Sequence, residues 1–295
     1  MPPLQRIMVL YLVGIFPGDR LMSSFHLQRR DLSSVTELQL NMAPNSFDDQ
    51  YKGCEDAMAA ELEELNRTEF ANNSVYAEAW QKAERKISLS PPAGLKREYA
   101  IAIAAYTIEG PLYRDFNAAV REAGQNTDYY LNDFHFKTFH FLLTRAIQDL
   151  GAKAAPKCYK VHRGVKKIRF VPGGNKMIRF GHFTSSSLKR EVALQFGEDT
   201  FFNITTCRGV SIKDFSFSPE QDEVLIPPYE KFEVAGPQKP GTTTIDLLTL
   251  GESSTYNCAF VKGGSASQLS PSLEAPFLLW GFLLFAEGLG SPGLL

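Results

Sequence analysis

The chain has 295 residues, 44% of them hydrophobic and 22% charged. This is a globular composition with no low-complexity tract, and the length suits one large domain or two small ones. A formal net charge of -2 removes any bulk electrostatic case for binding nucleic acid or an anionic membrane. The basic residues are scattered, and their densest cluster, KVHRGVKKIRF at 160–170, is short.

Near the start, IMVLYLVGIF at 7–16 follows Arg6. It has the length of a signal-peptide apolar region and is too short to span a bilayer, with PGDR standing where a small-x-small cleavage site is expected. Residues 1–37 are therefore read as a signal peptide or atypical leader, followed by a domain over 38–262. The first part of that domain is helical in pattern. Residues 56–66 are rich in Ala, Glu and Leu, which are good helix formers. Residues 74–87 continue that character with Val75, Ala79 and Ala83 on one face, and SPPAG at 90–94 ends it. Residues 97–108 form an apolar helix stopped by Gly110-Pro111, and 112–123 form another stopped at Gly124. A long aromatic-rich helix is expected over 128–150, closed by Gly151.

Beyond Lys157 the texture changes. CYKVHRGV, KMIRFG, HFTSSS, TFFNITTC, GVSIKDF, DEVLIPP, KFEVAG, TTIDLLTL and STYNCAF are β-branched or aromatic runs separated by Gly, Pro or polar turns. One helix, over 188–196 and ending at Gly197, interrupts them. Helices followed by many short strands predict an α+β domain: a helical region packed on a mostly antiparallel, sandwich-like sheet. In EQDEVLIPP the two prolines, Pro227 and Pro228, must end a strand, because proline has no N–H for the ladder. Strand alternation then puts Gln221 and Glu223 on one face and Asp222 on the other. After the domain, GGSAS at 263–267, a spacer and the apolar FLLWGFLLFA at 277–286 outline a GPI-anchor signal.

The four cysteines, Cys54, Cys158, Cys207 and Cys258, contain no C-x-x-C pair, so no zinc site is expected. Their spacing suits two disulfides in an oxidising compartment, or else four buried thiols. Three N-x-[ST] sequons, at Asn66, Asn72 and Asn203, favour the oxidising compartment and are candidate glycosylation sites.

The candidate chemistry is a set of individually weak signals. Arg163, at a strand end before glycine, is either a phosphate-binding fork or a surface turn residue. In FTSSS, Ser185 could face a site while Ser187 caps the helix that follows, with Glu191 near capping-box spacing. Gln221 and Glu223 are either a charged strand edge or a pair that stabilises a developing cation. His135 and His140 are not at a spacing that puts two ligands on one helix face, and His182 has no evident partner. No phosphate-binding glycine loop and no Ser-His-Asp order occurs.

Taken in order, the arginine at a strand end, FTSSS and the acidic position before VLIPP resemble the vertebrate ecto-ADP-ribosyltransferases, whose signature is R-S-E-x-E. APNSFDDQYKGC, FHFKTFHFLLTRAI, IRFGHFTSSSL, QFGEDTFFNITTC, EVLIPPYEKFEV and STYNCAF extend the resemblance over about 38–261. It implies a split β-sandwich that takes NAD in a cleft as a substrate, with no permanently bound cofactor and no metal. It also implies disulfides Cys54–Cys258, joining the domain ends, and Cys158–Cys207, tying two central strands beside the cleft. Arg163 would hold a phosphate or ribose of NAD, Ser185 would orient the acid, and Glu223 would stabilise charge on the ribose. The implied partners are protein arginine acceptors outside the cell, for a secreted or GPI-anchored enzyme.

Two positions depart from the family. His162 stands where tyrosine is usual, which should alter packing or stacking in the cleft. Gln221 stands where the arginine-transferring members have glutamate, which should favour NAD hydrolysis over transfer. A non-catalytic surface protein on the same fold is the rival reading, although keeping Arg163, Ser185 and Glu223 together argues against it. A conventional glycosidase needs two carboxyl groups at one bond, and Gln221 leaves one.

Overall fold

The computed structural model describes residues 35–155, 157–174, 176–236 and 243–267. The apolar segments at 7–16 and 277–286 lie outside the described residues. Among the described residues no helix is long and apolar enough to cross a membrane.

Strand β1 (Thr36–Leu40) is followed by a layer of seven helices: α1 (Glu55–Ala60), α2 (Leu62–Asn72), α3 (Ser74–Lys86), α4 (Arg97–Tyr106), α5 (Leu112–Glu122), α6 (Thr127–Asp133) and α7 (Lys137–Lys153). Asn73 caps α3, its side chain accepting from the Tyr76 N–H at 3.0 Å. The buried stripe of α3 is Tyr76, Ala79 and Ala83, while Val75 is only half-buried. Helix α4 is buried on every side from Tyr99 to Tyr106, which makes it the centre of the layer.

The expected single helix over 128–150 is two, α6 and α7, parted at 134–136. The Glu69 carboxylate on α2 causes the break by accepting the Lys137 and Thr138 N–H groups at 2.5 and 3.0 Å, a cap supplied from far away in sequence. Gly151 does not close α7, which runs on to Lys153. His140 is a packed core residue, as expected: its Nδ1 lies 2.8 Å from the Tyr51 hydroxyl, and burial pulls its pKa down to about 3.

The second half supplies β2 (Tyr159–Val165), β3 (Ile168–Pro172), β4 (Met177–Ile178), β5 (Thr184–Ser187), α8 (Arg190–Gln195), β6 (Thr200–Thr206), β7 (Val210–Ser211), β8 (Glu223–Ile226), β9 (Glu230–Val234), β10 (Thr244–Glu252) and α9 (Ala259–Ser267). The main sheet has the order β4-β9-β10-β6-β2-β5-β8-β7 and is antiparallel except for β10 beside β6. It splits in the middle. β2 and β6 share seven register pairs, whereas β2 and β5 share one, His162 with Ser187. Val161, Phe202 and Ile204 from one half pack with Val224 and Ile226 from the other in the sandwich core. Leu225 faces the opposite way, into the helical core with Phe183 and Phe116.

STYNCAF is not a strand. Its backbone donors go to two buried carboxylates instead: Asp48 accepts from the Thr255 and Tyr256 N–H groups, and Asp49 from Cys258 and Ala259. Among the described residues regular structure runs from Thr36 to Ser267, so it extends past 38 and 262 and includes the small residues GGSAS. Both implied disulfides are formed. Cys158–Cys207 does tie the central strands, but at the far end from Arg163, which lies five positions along the strand from Cys158, roughly 16 Å.

Asp48 also pairs with buried Arg179, so it satisfies one cation and two backbone donors. Asp48→Ala should cost about 3–5 kcal/mol, because it strands a buried guanidinium. Urea unfolding with the disulfides intact measures it, and a loss below about 1 kcal/mol would contradict this account.

Candidate active site

A cleft of about 460 Å³ opens where the sheet splits. Arg163, Ser185, Gln221 and Glu223 all line it, so the fold brings the four residues singled out from sequence together. Arg163 comes from β2 and Ser185 from β5, on opposite sides of the split. The Arg163 Nη1 donates to the Ser185 carbonyl across it at 2.7 Å. Glu223 opens β8, opposite Ser187 in the ladder.

FTSSS assigns a different task to each serine. Ser185 hydrogen-bonds Glu223. Ser186 donates its hydroxyl to the Val224 carbonyl at 2.7 Å. Ser187 donates to the Gln221 carbonyl at 2.6 Å and accepts from the Lys189 N–H at 3.0 Å. Ser187 is therefore not the helix cap that its position suggested. The N-cap of α8 is Lys189, with no side-chain cap hydrogen bond. The hydroxyl of Ser187 holds the turn before β8 instead.

Gln221 is not on a strand. It closes a 3-10 turn, Pro219–Gln221, and Asp222 takes the left-handed conformation at φ 43°. The main chain there is tied to 187–189 rather than to a ladder. Gln221 and Glu223 nevertheless both reach the cleft, while Asp222 turns away to Lys189 and Lys213 at 2.7 and 2.5 Å. Glu220 is exposed and does not line the cleft.

Burial raises the Glu223 carboxyl above its ordinary range, opposed by the Ser185 hydrogen bond and by the charge of Arg163. Burial also lowers Arg163, opposed by Tyr106 and Glu223. Both charges are held in the cleft with less water than they would choose, so each is poised to gain from a substrate charge of opposite sign. His182, whose Nδ1 donates to the Phe180 carbonyl at 2.7 Å, is kept neutral with a pKa of about 3, first by burial and then by Arg121 and Arg163. Its partner was not evident in the sequence. His162 lines the cleft and stacks on Phe201 with centroids 5.9 Å apart.

Sequence reasoning missed the helical wall. Tyr106 and Asn117, from α4 and α5, line the cleft with Thr107, Glu109 and Tyr113. The apolar run AIAIAAY reads as core, so only the polar end of Tyr106 could have signalled a site. Among the described residues no group of three metal-ligating side chains occurs. Of the sequons, Asn72 is exposed, Asn66 is half-buried within α2, and Asn203 donates to Asp246 at 2.7 Å.

Residues 40–255 match the family model described as NAD:arginine ADP-ribosyltransferase. The chain is 45% identical to the GPI-linked NAD(P)(+)–arginine ADP-ribosyltransferase 1 of Homo sapiens, covering 98% of each chain. It is 47% identical to the erythroblast NAD(P)(+)–arginine ADP-ribosyltransferase of Gallus gallus, over 83% of this chain and 87% of that one. The crystal structure of the eukaryotic mono-ADP-ribosyltransferase ART2.2 superposes with a TM-score of 0.66 at 42% identity, over 75% of this chain and 98% of that one. Mutants of that protein are solved with NADH and with NAD. A split α+β fold with this cleft is an ADP-ribosyltransferase fold. The chain belongs to the NAD:arginine ADP-ribosyltransferase family.

Gly164 lets α8 sit against β2 next to Arg163. A Cβ there would lie 2.2 Å from the Ala193 carbonyl oxygen and 2.3 Å from that of Gly197. Gly164→Ala should cost about 1–3 kcal/mol and shift Arg163. A thermal melt together with NAD titration tests this, and wild-type values in both would refute it.

Proposed function

We propose that this protein is an extracellular NAD-consuming enzyme that breaks the nicotinamide–ribose bond, with hydrolysis dominant over transfer to arginine. The observation that carries the reading is the convergence of Arg163, Ser185 and Glu223 in one cleft with a neutral amide, Gln221, beside them. Arg163 holds a phosphate or ribose of NAD. When the C–N bond breaks, its electron pair leaves with nicotinamide and positive charge develops on the ribose carbon. The Glu223 carboxylate, oriented by Ser185, stabilises that charge more than it stabilises the neutral ribose, so the gain falls on the transition state.

Gln221 determines what attacks next. An arginine acceptor is a protonated fork of N–H donors, and a carboxylate would dock it with two charge-assisted bonds. An amide offers one oxygen and two competing donors, so docking weakens by about 2 kcal/mol. Water then takes the ribose carbon, loses a proton to solvent, and leaves ADP-ribose. Several relatives are named as GPI-linked or ecto enzymes, and the two disulfides and exposed Asn72 support the same placement for this chain. A non-catalytic surface role on this fold would require that NAD fail to bind.

Nicotinamide release and label transfer to an arginine analogue, followed together, test this. Wild type should release nicotinamide with little transfer, and Gln221→Glu should gain transfer about tenfold or more. Glu223→Gln should lose both activities by ~10²-fold or more. Efficient transfer by wild type would overturn the role given to Gln221. Nicotinamide release should also fall as pH drops through the raised pKa of Glu223, because only the carboxylate stabilises the cation. An acid limb at or below the ordinary glutamate value would contradict that assignment.

A further inference from the structure

The helical wall of the cleft contains an acceptor with no partner. Asn117 on α5 is 8% exposed, and its Oδ1 is buried without a hydrogen bond. A buried carbonyl oxygen of this kind is costly to leave unpaired, so it favours a ligand that brings a donor to it. Which end of the amide is left over follows from its neighbour. The Tyr106 hydroxyl lies 2.8 Å from the Phe183 carbonyl, which can only accept, so the single phenol proton is committed there. Tyr106 must then accept from Asn117, whose Nδ2 is 2.9 Å away. That fixes the amide with its nitrogen on Tyr106 and its oxygen left over, and removes the usual ambiguity of an asparagine flip.

The place of this amide in the cleft narrows the ligand. Tyr106 donates to the Phe183 carbonyl, two residues before Ser185, the residue that orients Glu223, and Tyr106 and Ser185 line the same cleft as Asn117. Asn117 is therefore tied through Tyr106 to the segment that leads into β5, on the side of the cleft near Glu223 that would take the nicotinamide end of a bound dinucleotide. The charged groups that line the cleft are Glu109, Arg163, Lys166 and Glu223, and none of them donates to Asn117 Oδ1. We propose that Asn117 Oδ1 recognises a donor at the nicotinamide end of NAD, the carboxamide N–H or a ribose O–H, and is a specificity-determining residue held in register by Tyr106. This rests on the reading of the cleft as an NAD site. Its added content is that the helical layer selects the substrate while the sheet carries the bond-breaking groups.

Binding by calorimetry tests it without requiring turnover. The probes are NAD, 3-acetylpyridine adenine dinucleotide, which has a methyl in place of the carboxamide nitrogen, and NAD lacking the 2′-hydroxyl of the nicotinamide ribose. Wild type should bind NAD about tenfold tighter than whichever analogue lacks the recognised donor. In Asn117→Leu that preference should fall towards one, mainly through weaker NAD binding, while the preference over the other analogue persists. Collapse against the acetyl analogue assigns the carboxamide, and collapse against the deoxy analogue assigns the ribose. Tyr106→Phe, which frees the amide to turn, should erode the same preference. Each ratio is internal to one variant, so a partly unfolded sample does not mimic the effect. Unchanged ratios in Asn117→Leu overturn the inference and leave the NAD reading standing. Failure of wild type to bind NAD overturns both.

Discussion

The guanidinium of Arg163 closes a gap that the sheet leaves open. β2 and β5 meet at one register pair, so the ladder that would normally join neighbouring strands is missing beside it. A charge-assisted hydrogen bond from Arg163 to the Ser185 carbonyl takes its place. Such a bond is worth more than a neutral one, roughly 1.5–3 kcal/mol net, but it carries a cation into a poorly hydrated cleft. The split thus creates both the cavity and the need for a charge in it. Everything beyond the gap is referenced to Arg163 through β5: four register pairs carry the position of Ser185 to β8 and so to Glu223.

The same economy governs the electrostatics. Glu223 and Arg163 are each displaced towards neutrality by burial, and each opposes the other's displacement. A second carboxylate at 221 would add a like charge beside an acid that burial already raises. Gln221 removes that repulsion and, in the function proposed above, the docking site for a guanidinium with it. The acceptor chemistry and the ionisation of Glu223 are therefore coupled through one side chain, although nothing in the backbone requires them to be.

How much of this was legible in the sequence follows from where each hydrogen bond goes. Helices α3, α4 and α5 were readable because local pattern and breaker residues set their ends. The α6–α7 break was not, because Glu69 makes it from another helix. STYNCAF has strand composition, but Asp48 and Asp49 claim its donors. Gln221 was assigned to a strand because VLI follows it, yet Ser187 holds its carbonyl in a turn. The motif residues were legible as a set through family resemblance and only weakly one by one. Tyr106 was hidden because α4, buried on all sides, shows no polar face to read, and Asn117 because it is a polar residue set in the buried stripe of α5.

That turn explains why position 221 can change while the fold stays the same. On a strand, residue 221 would share the register of Glu223, and its side chain would be fixed by cross-strand neighbours. In the observed turn the constraints act on main-chain atoms: Ser187 on the Gln221 carbonyl, Lys189 on the Glu220 carbonyl at 3.1 Å, and the Leu188 N–H on the Asp222 carbonyl. Asp222, anchored by two lysines, absorbs the left-handed backbone. The side chain at 221 is left facing the cleft with no part in holding the turn. Exchanging a carboxylate for an amide there changes the chemistry that faces the cleft without moving Glu223, whose place is set by β5.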